Sequence, residues 1–156
     1  MREFKLKSET TVTDRMIADI VVTAFEGGIS YWCSNAVPVE RDDKGDWQII
    51  SAARFEVLAA GHAPMYDNPD FWENDKRGYM LHDEYEEKPI EKVLTLAGIL
   101  TALQWQQPKP TPKEKQYGIN PNWFRAVVDR IKDEEYDAAD ADAVVQIAVF
   151  NEVVYG

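Results

Sequence analysis

Residues 13–28, TDRMIADIVVTAFEGG, carry the clearest structural signal in the sequence. Apolar side chains recur there at the i, i+3, i+4, i+7 spacing that places them along one face of an α-helix. These side chains are Met16, Ile17, Ile20, Val21, Ala24 and Phe25. Thr13 or Asp14 can cap the start of the helix, and we expect Gly27 and Gly28 to end it, because glycine accepts the left-handed conformation found at helix C-termini.

Segments typical of β-strands flank this helix. The threonine-rich residues 4–12 precede it, and residues 29–39, which are rich in aromatic and β-branched side chains, follow it. Pro38 has no N–H group to donate to a β-ladder, so we expect the second strand to lie near a sheet edge or to end there. The turn-forming sequence RDDKGD at 41–46 then favours a hairpin with part of 47–60, which could alternatively be partly helical.

The second half of the chain is predicted to be mainly helical. We expect an irregular loop over 61–75, a return to the sheet over 79–85 and an exposed proline-rich linker over 107–115. Helices are predicted from Pro89 to about Gln107, from Asn120-Pro121 onward, and over 137–153, the last one buried on most sides. This mixed order predicts an α+β fold, with residues 1–156 forming a single domain in which a small antiparallel sheet packs with about four helices.

Composition and charge exclude several classes of protein. Of the 156 residues, 45% are hydrophobic, which is enough for a core, so we do not expect a disordered chain. The formal net charge of -11 disfavours binding to nucleic-acid phosphates or anionic membranes, since both require a cationic surface. The sequence has no apolar run of membrane-spanning length and no apolar signal segment, and we expect a cytoplasmic protein.

No combination of residues indicates a catalytic or metal site. Neither His62 nor His82 accompanies a G-x-S-x-G or Cys-His motif. Cys33, the single cysteine, excludes an internal disulfide and any metal site of several cysteines, and it is expected to be a buried structural thiol. The aspartates of the 41–46 turn lack the loop pattern and closing glutamate of an EF-hand. We therefore expect a protein that is not an enzyme, with no catalytic residue, metal ion or cofactor.

Acidic residues are concentrated in two segments. Residues 61–91 contain nine acidic and three basic side chains, and residues 129–152 contain eight and two. Clustered carboxylates create a potential that attracts a cationic partner, although a solvated acidic surface without a function is the alternative. In the second segment, Asp137, Asp140 and Asp142 are expected to lie in the first turn of the last helix, where they complement its dipole.

Aromatic residues are interleaved with the carboxylates of the first acidic segment. This composition suits recognition of an arginine- or lysine-rich protein surface through ion pairs and cation–π contacts. Trp72 or Tyr85 would then supply much of the affinity as an aromatic anchor. Alternatively, Trp72 and Tyr79 belong to the core and the acids simply face water. The predicted partner-binding residues are Asp67, Asp70, Trp72, Glu73, Asp75, Asp83, Glu84, Tyr85, Glu86 and Glu87.

Two strings in the sequence, AFEGGISYW at 24–32 and DADAVVQIAVFNEVVYG at 140–156, resemble small acidic proteins encoded by phages, prophages and mobile elements. In those uncharacterised proteins a helix that ends in E-G-G leads to an aromatic strand. The resemblance transfers no catalytic residue. It implies a non-catalytic protein that engages the basic surface of a host nucleic-acid-binding protein without contacting nucleic acid, for example as an anti-defence inhibitor such as an anti-CRISPR protein or a DNA mimic.

An alternative hypothesis is a small-ligand binding protein that sequesters a nucleotide signal in an aromatic pocket around Tyr31 and Trp32. Phosphate groups would require cationic side chains nearby, for which Arg15, Arg41 and Arg54 are candidates. A common face for the carboxylates would favour the acidic binding protein, whereas a concave pocket with convergent polar groups would favour the ligand-binding protein.

Overall fold

Two antiparallel sheets and six α-helices make up the part of the chain that the structure describes, which confirms the predicted α+β fold. The computed structural model describes residues 1–59, 61, 64–73, 75–83, 91–118 and 120–156. The strands are β1 (Glu3–Lys5), β2 (Thr11–Thr13), β3 (Cys33–Arg41), β4 (Trp47–Ile49), β5 (Arg77–Asp83) and β6 (Glu91–Leu94). The helices are α1 (Asp14–Thr23), α2 (Ala52–Ala59), α3 (Leu96–Leu103), α4 (Pro112–Gln116), α5 (Trp123–Lys132) and α6 (Ala138–Phe150).

Helix α1 buries its apolar face in the core, as its sequence pattern predicts. The Thr13 hydroxyl caps it by accepting a hydrogen bond from the Met16 N–H at 3.2 Å. Ile17, Ile20 and Val21 have no exposed surface and belong to one continuous hydrophobic core, to which both sheets contribute. The helix continues into a π-helical turn over Ala24–Gly28. Within the described residues, no helix is both long and apolar enough to cross a membrane.

Gly27 and Gly28 are the last residues of this π-helical turn and do not form the glycine cap that was expected. Neither has a positive φ, so they do not form a left-handed cap. Gly28 instead allows the π-helical turn to approach the start of α6. A Cβ atom on Gly28 would lie 2.7 Å from the Ala138 carbonyl oxygen and 3.3 Å from Asp142 Cβ. The glycine is therefore needed for close packing between two elements that are distant in sequence.

The larger sheet has the strand order β4-β3-β5-β6, and all its pairings are antiparallel. Strand β3 is thus internal, which corrects the edge position expected from Pro38. The Pro38 carbonyl accepts a hydrogen bond from the Ile50 N–H at 3.1 Å, just where β4 ends. In an antiparallel strand, the N and C=O groups of one residue point to the same side. The ring nitrogen of Pro38 therefore faces the place where β4 ends, and its lack of an N–H group interrupts no hydrogen bond to β5.

Both strands predicted around α1 are shorter than expected. Residues 4–12 belong to a hairpin of two strands, β1 and β2, whose turn contains Glu9 with a φ of 66°. Over 29–32 the chain turns, since the N–H groups of Trp32 and Cys33 both donate to the Ile29 carbonyl. The predicted hairpin through 41–46 is confirmed as β3–β4, and the segment after it forms the helix α2, the alternative considered for 47–60.

The helix predicted from Pro89 is wrong over 91–94, where β6 pairs with β5. Its helical part begins only at Leu96, because the Thr95 hydroxyl accepts a hydrogen bond from the Gly98 N–H at 3.1 Å and caps α3 there. Pro89 itself lies outside the described residues. The predicted linker over 107–115 includes the start of α4, at Pro112.

The two C-terminal helices agree well with the sequence pattern. Helix α5 buries Phe124, Val127 and Ile131. Helix α6 begins with a capping box formed by Asp137 and Asp140, and its residues are buried without interruption over 140–147. The predicted nearly complete burial of this helix is therefore confirmed. With α2 and α4, which the sequence did not clearly indicate, the described residues contain six helices where about four were expected.

The packing of the π-helical turn against α6 predicts a sharp difference between two neighbouring glycines. Gly28→Ala should lower the free energy of unfolding by about 1–3 kcal/mol, because the new methyl group overlaps the Ala138 carbonyl. Gly27→Ala is the matched control, since its Cβ would lie 3.6 Å from Ala138 Cβ, an ordinary contact. Urea unfolding of both variants measures the difference, and equal stabilities would contradict this role of Gly28.

Candidate functional site

The described members of the predicted partner-binding set differ in burial and in surroundings. Glu84, Tyr85, Glu86 and Glu87 lie outside the described residues. Glu73 is the last residue of the 3₁₀ segment Pro69–Glu73, and Asp83 is the last residue of β5. The side chains of Asp70 and Asp75 are exposed, and that of Asp67 is partly exposed.

Trp72 is a core residue and not a surface anchor. Its side chain has no exposed surface, and its indole N–H donates to the Tyr66 carbonyl at 2.9 Å. The ring packs against Phe71 and Tyr79, and Tyr79 is itself almost fully buried. Burial also raises the pKa of the Tyr79 phenol. The core alternative considered for Trp72 and Tyr79 is therefore the one that the structure shows.

The exposed acids of the first segment have different surroundings. Asp75 accepts a hydrogen bond from the Ala97 N–H at 2.9 Å and so stabilises the first turn of α3. Asp67 instead lies beside α1, where Arg15 forms ion pairs with both Asp67 and Asp19. Arg15 and Asp19 are one helical turn apart on α1, so Asp67 borders the outward face of that helix.

A carboxylate from the second acidic segment borders the same helix face. Glu134 follows α5 and lines a small cleft of about 360 Å³ together with Asp19, Thr23 and Tyr136. On the π-helical turn that continues α1, Glu26 accepts a hydrogen bond from the Tyr66 hydroxyl at 3.2 Å. We call this region the α1 acidic surface and define it by Asp19, Glu26, Asp67 and Glu134, with the rings of Tyr66 and Tyr136.

The carboxylates of this surface affect the pKa values of the tyrosines beside them, although burial is the larger cause for both rings. Burial raises the pKa of Tyr66, and the negative charges of Glu26 and Asp67 raise it further. Burial likewise raises the pKa of Tyr136. The hydrogen bond with Thr23 and the charge of Arg15 lower it, while the charges of Asp19 and Glu134 raise it, and the net direction is upward. The pKa of Arg15 is also raised, because its bonds to Asp67 and Asp19 outweigh the opposing effect of burial. Each shift stabilises the protonated form, as expected beside carboxylates.

A second polar arrangement joins the loop after α1 to α6. No sequence pattern indicates it. Asp142, only 7% exposed, accepts hydrogen bonds from the Tyr31 hydroxyl at 2.6 Å and the Trp32 indole N–H at 2.7 Å. The Gln146 amide N–H donates to the same carboxylate at 3.0 Å, and its oxygen accepts from the N–H groups of Val154 and Tyr155. Asp142 is thus a buried acceptor and not merely a charge beside the helix dipole.

These residues form one wall of a cleft of about 750 Å³. Its described charged lining consists of Arg130, Asp140 and Asp142. Arg130 donates two hydrogen bonds of 2.7 Å to Asp140. Burial alone would raise the pKa of Asp140, but the bonds from Arg130 and the Asp137 N–H hold it below its usual range. With two carboxylates and one paired cation, this cleft does not suit a phosphate group.

The cations considered for a phosphate site near Tyr31 and Trp32 lie elsewhere. Arg15 belongs to the α1 acidic surface, Arg54 forms an ion pair with Glu40, and the Arg41 guanidinium lies over the Trp47 ring at 4.5 Å. Trp32 is itself buried, with its ring stacked on Tyr155. Around Tyr31 and Trp32 the Trp32 ring is therefore not open, none of the three arginines is near, and the cation that lines the cleft, Arg130, is paired with Asp140.

The candidate catalytic and metal-binding residues show structural contacts. Cys33 is buried, with its thiol 3.3 Å from the Asn35 carbonyl oxygen. Asp42 closes the β3–β4 turn by accepting hydrogen bonds from the N–H groups of Lys44 and Asp46. His82 lies within β5 opposite Asn35, and His62 lies outside the described residues. Among the side chains that the structure describes, no three His, Cys, Asp or Glu residues are grouped as metal ligands would be.

Comparisons with protein-family models, curated proteins and solved structures gave no match to this chain. Function is therefore inferred from the arrangement of the chain's own residues. The two strings that carry the resemblance to phage proteins meet in space, because Tyr31 and Trp32 belong to the first and Asp142 and Gln146 to the second.

The surroundings of Tyr31 predict a fall in stability at high pH. Burial and the hydrogen bond to Asp142 raise the pKa of Tyr31 to about 12, above the value of about 10 for a free tyrosine. The folded state therefore keeps this proton longer than the unfolded state, and its contribution to stability is complete below pH 10 and lost toward pH 12. Tyr31→Phe should remove this part of the pH dependence. Urea unfolding between pH 8 and 11 measures it, and identical pH profiles for the two proteins would contradict it.

Asp142 should matter most as an acceptor for buried donors. Asp142→Ala leaves the buried Trp32 indole N–H without a partner, so the free energy of unfolding should fall by at least about 1–3 kcal/mol. Asp142→Asn retains one oxygen acceptor and should lose less. Urea unfolding at pH 7 measures both variants, and a wild-type stability for Asp142→Ala would show that the network contributes little.

Proposed function

We propose that this chain is a non-catalytic binding protein whose α1 acidic surface engages a basic surface of another protein. The observation that supports the proposal is the position of Asp67 and Glu134. They come from the two separate acidic segments, yet both flank the helix face that carries Asp19 and Glu26. Among the described residues of this surface, four carboxylates face a single cation, Arg15.

Such a surface favours rapid encounter with a cationic partner. Clustered charges of one sign steer association and raise its rate at low ionic strength. Each exposed ion pair contributes only about 0–1 kcal/mol, so the affinity also requires apolar contacts. The partly buried rings of Tyr66 and Tyr136 lie beside the carboxylates, where an arginine side chain can contact a ring and an acid together. The adjacent cleft can receive one such side chain.

The partner that fits best is a nucleic-acid-binding protein. Its nucleic-acid site presents the lysine- and arginine-rich face that these carboxylates require, and the carboxylates would occupy the positions of phosphates. The resemblance to proteins of phages and mobile elements supports a host protein in this role. The chain would then act as an inhibitor, in the manner of an anti-defence protein that mimics DNA.

A charge-matched pair of variants tests the proposal. Glu26→Gln with Glu134→Gln removes two charges from the α1 acidic surface, whereas Asp43→Asn with Glu152→Gln removes two exposed charges elsewhere. The immobilised chain is exposed to bacterial lysate at 50 mM NaCl, proteins released at 500 mM NaCl are identified, and their association rates with each variant are measured. We expect association to slow about tenfold for the first variant and to remain near the wild-type rate for the second.

Added salt provides an internal check. The difference between the two variants should shrink at 500 mM NaCl, because screening shortens the range of the charges. Failure to retain any protein at low salt, or equal losses of binding in both variants, would contradict a specific role of the α1 acidic surface.

A further inference from the structure

A cleft of opposite charge lies between the β1–β2 turn, the segment that follows α3, and α5. Its volume is about 590 Å³, within the range of about 300–1,000 Å³ that is usual for small-molecule sites. Three of its lining residues are cationic, Lys7, Arg125 and Lys132, and one is acidic, Asp129. We call it the cationic cleft. The chain as a whole has a net charge of -11, so the charge around this cleft is opposite in sign to that of the whole chain.

The three cations have no carboxylate partner among the residues that the structure describes. Over the described ranges, neither Lys7, Arg125 nor Lys132 forms an ion pair with a carboxylate. Other arginines differ, since Arg15, for example, is paired with Asp19 and Asp67. Arg125 and Lys132 lie two turns apart on α5, so their side chains share one side of the helix. Exposed, unpaired cations around a cleft provide what an anionic ligand requires.

Two glutamine side chains hold the walls of the cationic cleft in place. The Gln104 side-chain oxygen accepts a hydrogen bond from the Lys7 N–H at 2.9 Å and ties the β1–β2 turn to the end of α3. The Gln107 side chain accepts from the Phe124 N–H at 3.1 Å and donates to the Asn120 carbonyl at 3.0 Å, which ties the segment after α3 to the start of α5. The cleft is therefore formed before any ligand arrives, which lowers the entropy lost on binding.

The same lining includes an aromatic ring. Trp105 is half-buried, and its ring packs edge-on against Phe124, with centroids 5.3 Å apart. A partly exposed indole can stack on a planar group of a ligand, and such stacking favours nucleobases because every base has a π-face. The cationic cleft is thus lined by positively charged side chains and by an aromatic ring.

We propose that the cationic cleft binds a nucleotide, with its phosphates held by Arg125, Lys132 and Lys7 and its base stacked on Trp105. The net negative charge of the chain does not prevent this, because charges beyond about 8 Å are largely screened at physiological ionic strength. The size of the cleft suits a single nucleotide better than a strand. The proposal is independent of the α1 acidic surface, which shares no residue with this cleft.

Isothermal titration calorimetry with ADP as the probe tests the proposal. At 50 mM NaCl we expect saturable binding of ADP to the full chain, with weaker binding of AMP, adenosine and pyrophosphate, since each lacks part of the charge or the ring. Arg125→Gln, at an exposed helix position, should weaken ADP binding about tenfold. Lys44→Gln, which removes one exposed charge from the β3–β4 turn, is the matched control and should leave binding unchanged.

Each other outcome overturns the proposal. Absence of saturable ADP binding, or equal weakening by Arg125→Gln and Lys44→Gln, would show that the cationic cleft is not an anion site. Pyrophosphate binding as tightly as ADP would exclude stacking of the base. Binding of oligothymidylate that tightens with length would identify a single-stranded nucleic acid as the ligand class instead. The variant with Glu26→Gln and Glu134→Gln should keep ADP binding, which separates this test from that of the α1 acidic surface.

Discussion

The buried carboxylate of Asp142 is the interaction on which the arrangement of this fold depends. A carboxylate removed from water is unstable unless hydrogen bonds replace its hydration. Tyr31, Trp32 and Gln146 supply those bonds, and the first two lie more than 100 residues away in sequence. They reach Asp142 because Gly28, without a Cβ, lets the preceding turn contact α6. The end of α1, the loop after it and α6 are therefore positioned together.

The position of the α1 acidic surface follows from this packing. With Ile17, Ile20 and Val21 buried, the helical period places Arg15 and Asp19 on the opposite, outward face, and the exposed Glu26 lies on the π-helical turn that continues the helix. The chain that follows α5 must pass beside α1 to enter α6, and it brings Glu134 to that face. The carboxylates of this surface thus come partly from α1 and its continuation, and partly from segments that are distant in sequence but pass beside the helix.

Local sequence patterns predicted the helices and turns whose conformation is determined by one short stretch of sequence. They failed where the conformation depends on contacts with residues that are distant in sequence. Helices α1 and α6 and the β3–β4 hairpin follow from periodicity, caps and turn residues. Val93 and Leu94 suit a helix face as well as a strand, and only pairing with β5 decides between the two. The Asp142 network and the cationic cleft carry no local signal at all, since Lys7 and Arg125 meet across more than 100 residues of sequence.

Net charge is a weak guide to the ligands of such a chain, because it sums over a surface whose parts act separately. Screening confines each charge to a neighbourhood of about 8 Å, so a ligand responds to the few groups it touches. What distinguishes those groups is whether the fold already neutralises them. Arg130 and Arg15 hold carboxylates and so stabilise the structure, whereas Arg125 has no such partner among the described residues. Unpaired cations among the described residues, and a surface where four carboxylates meet the single cation Arg15, are therefore stronger indications of binding than the total of -11.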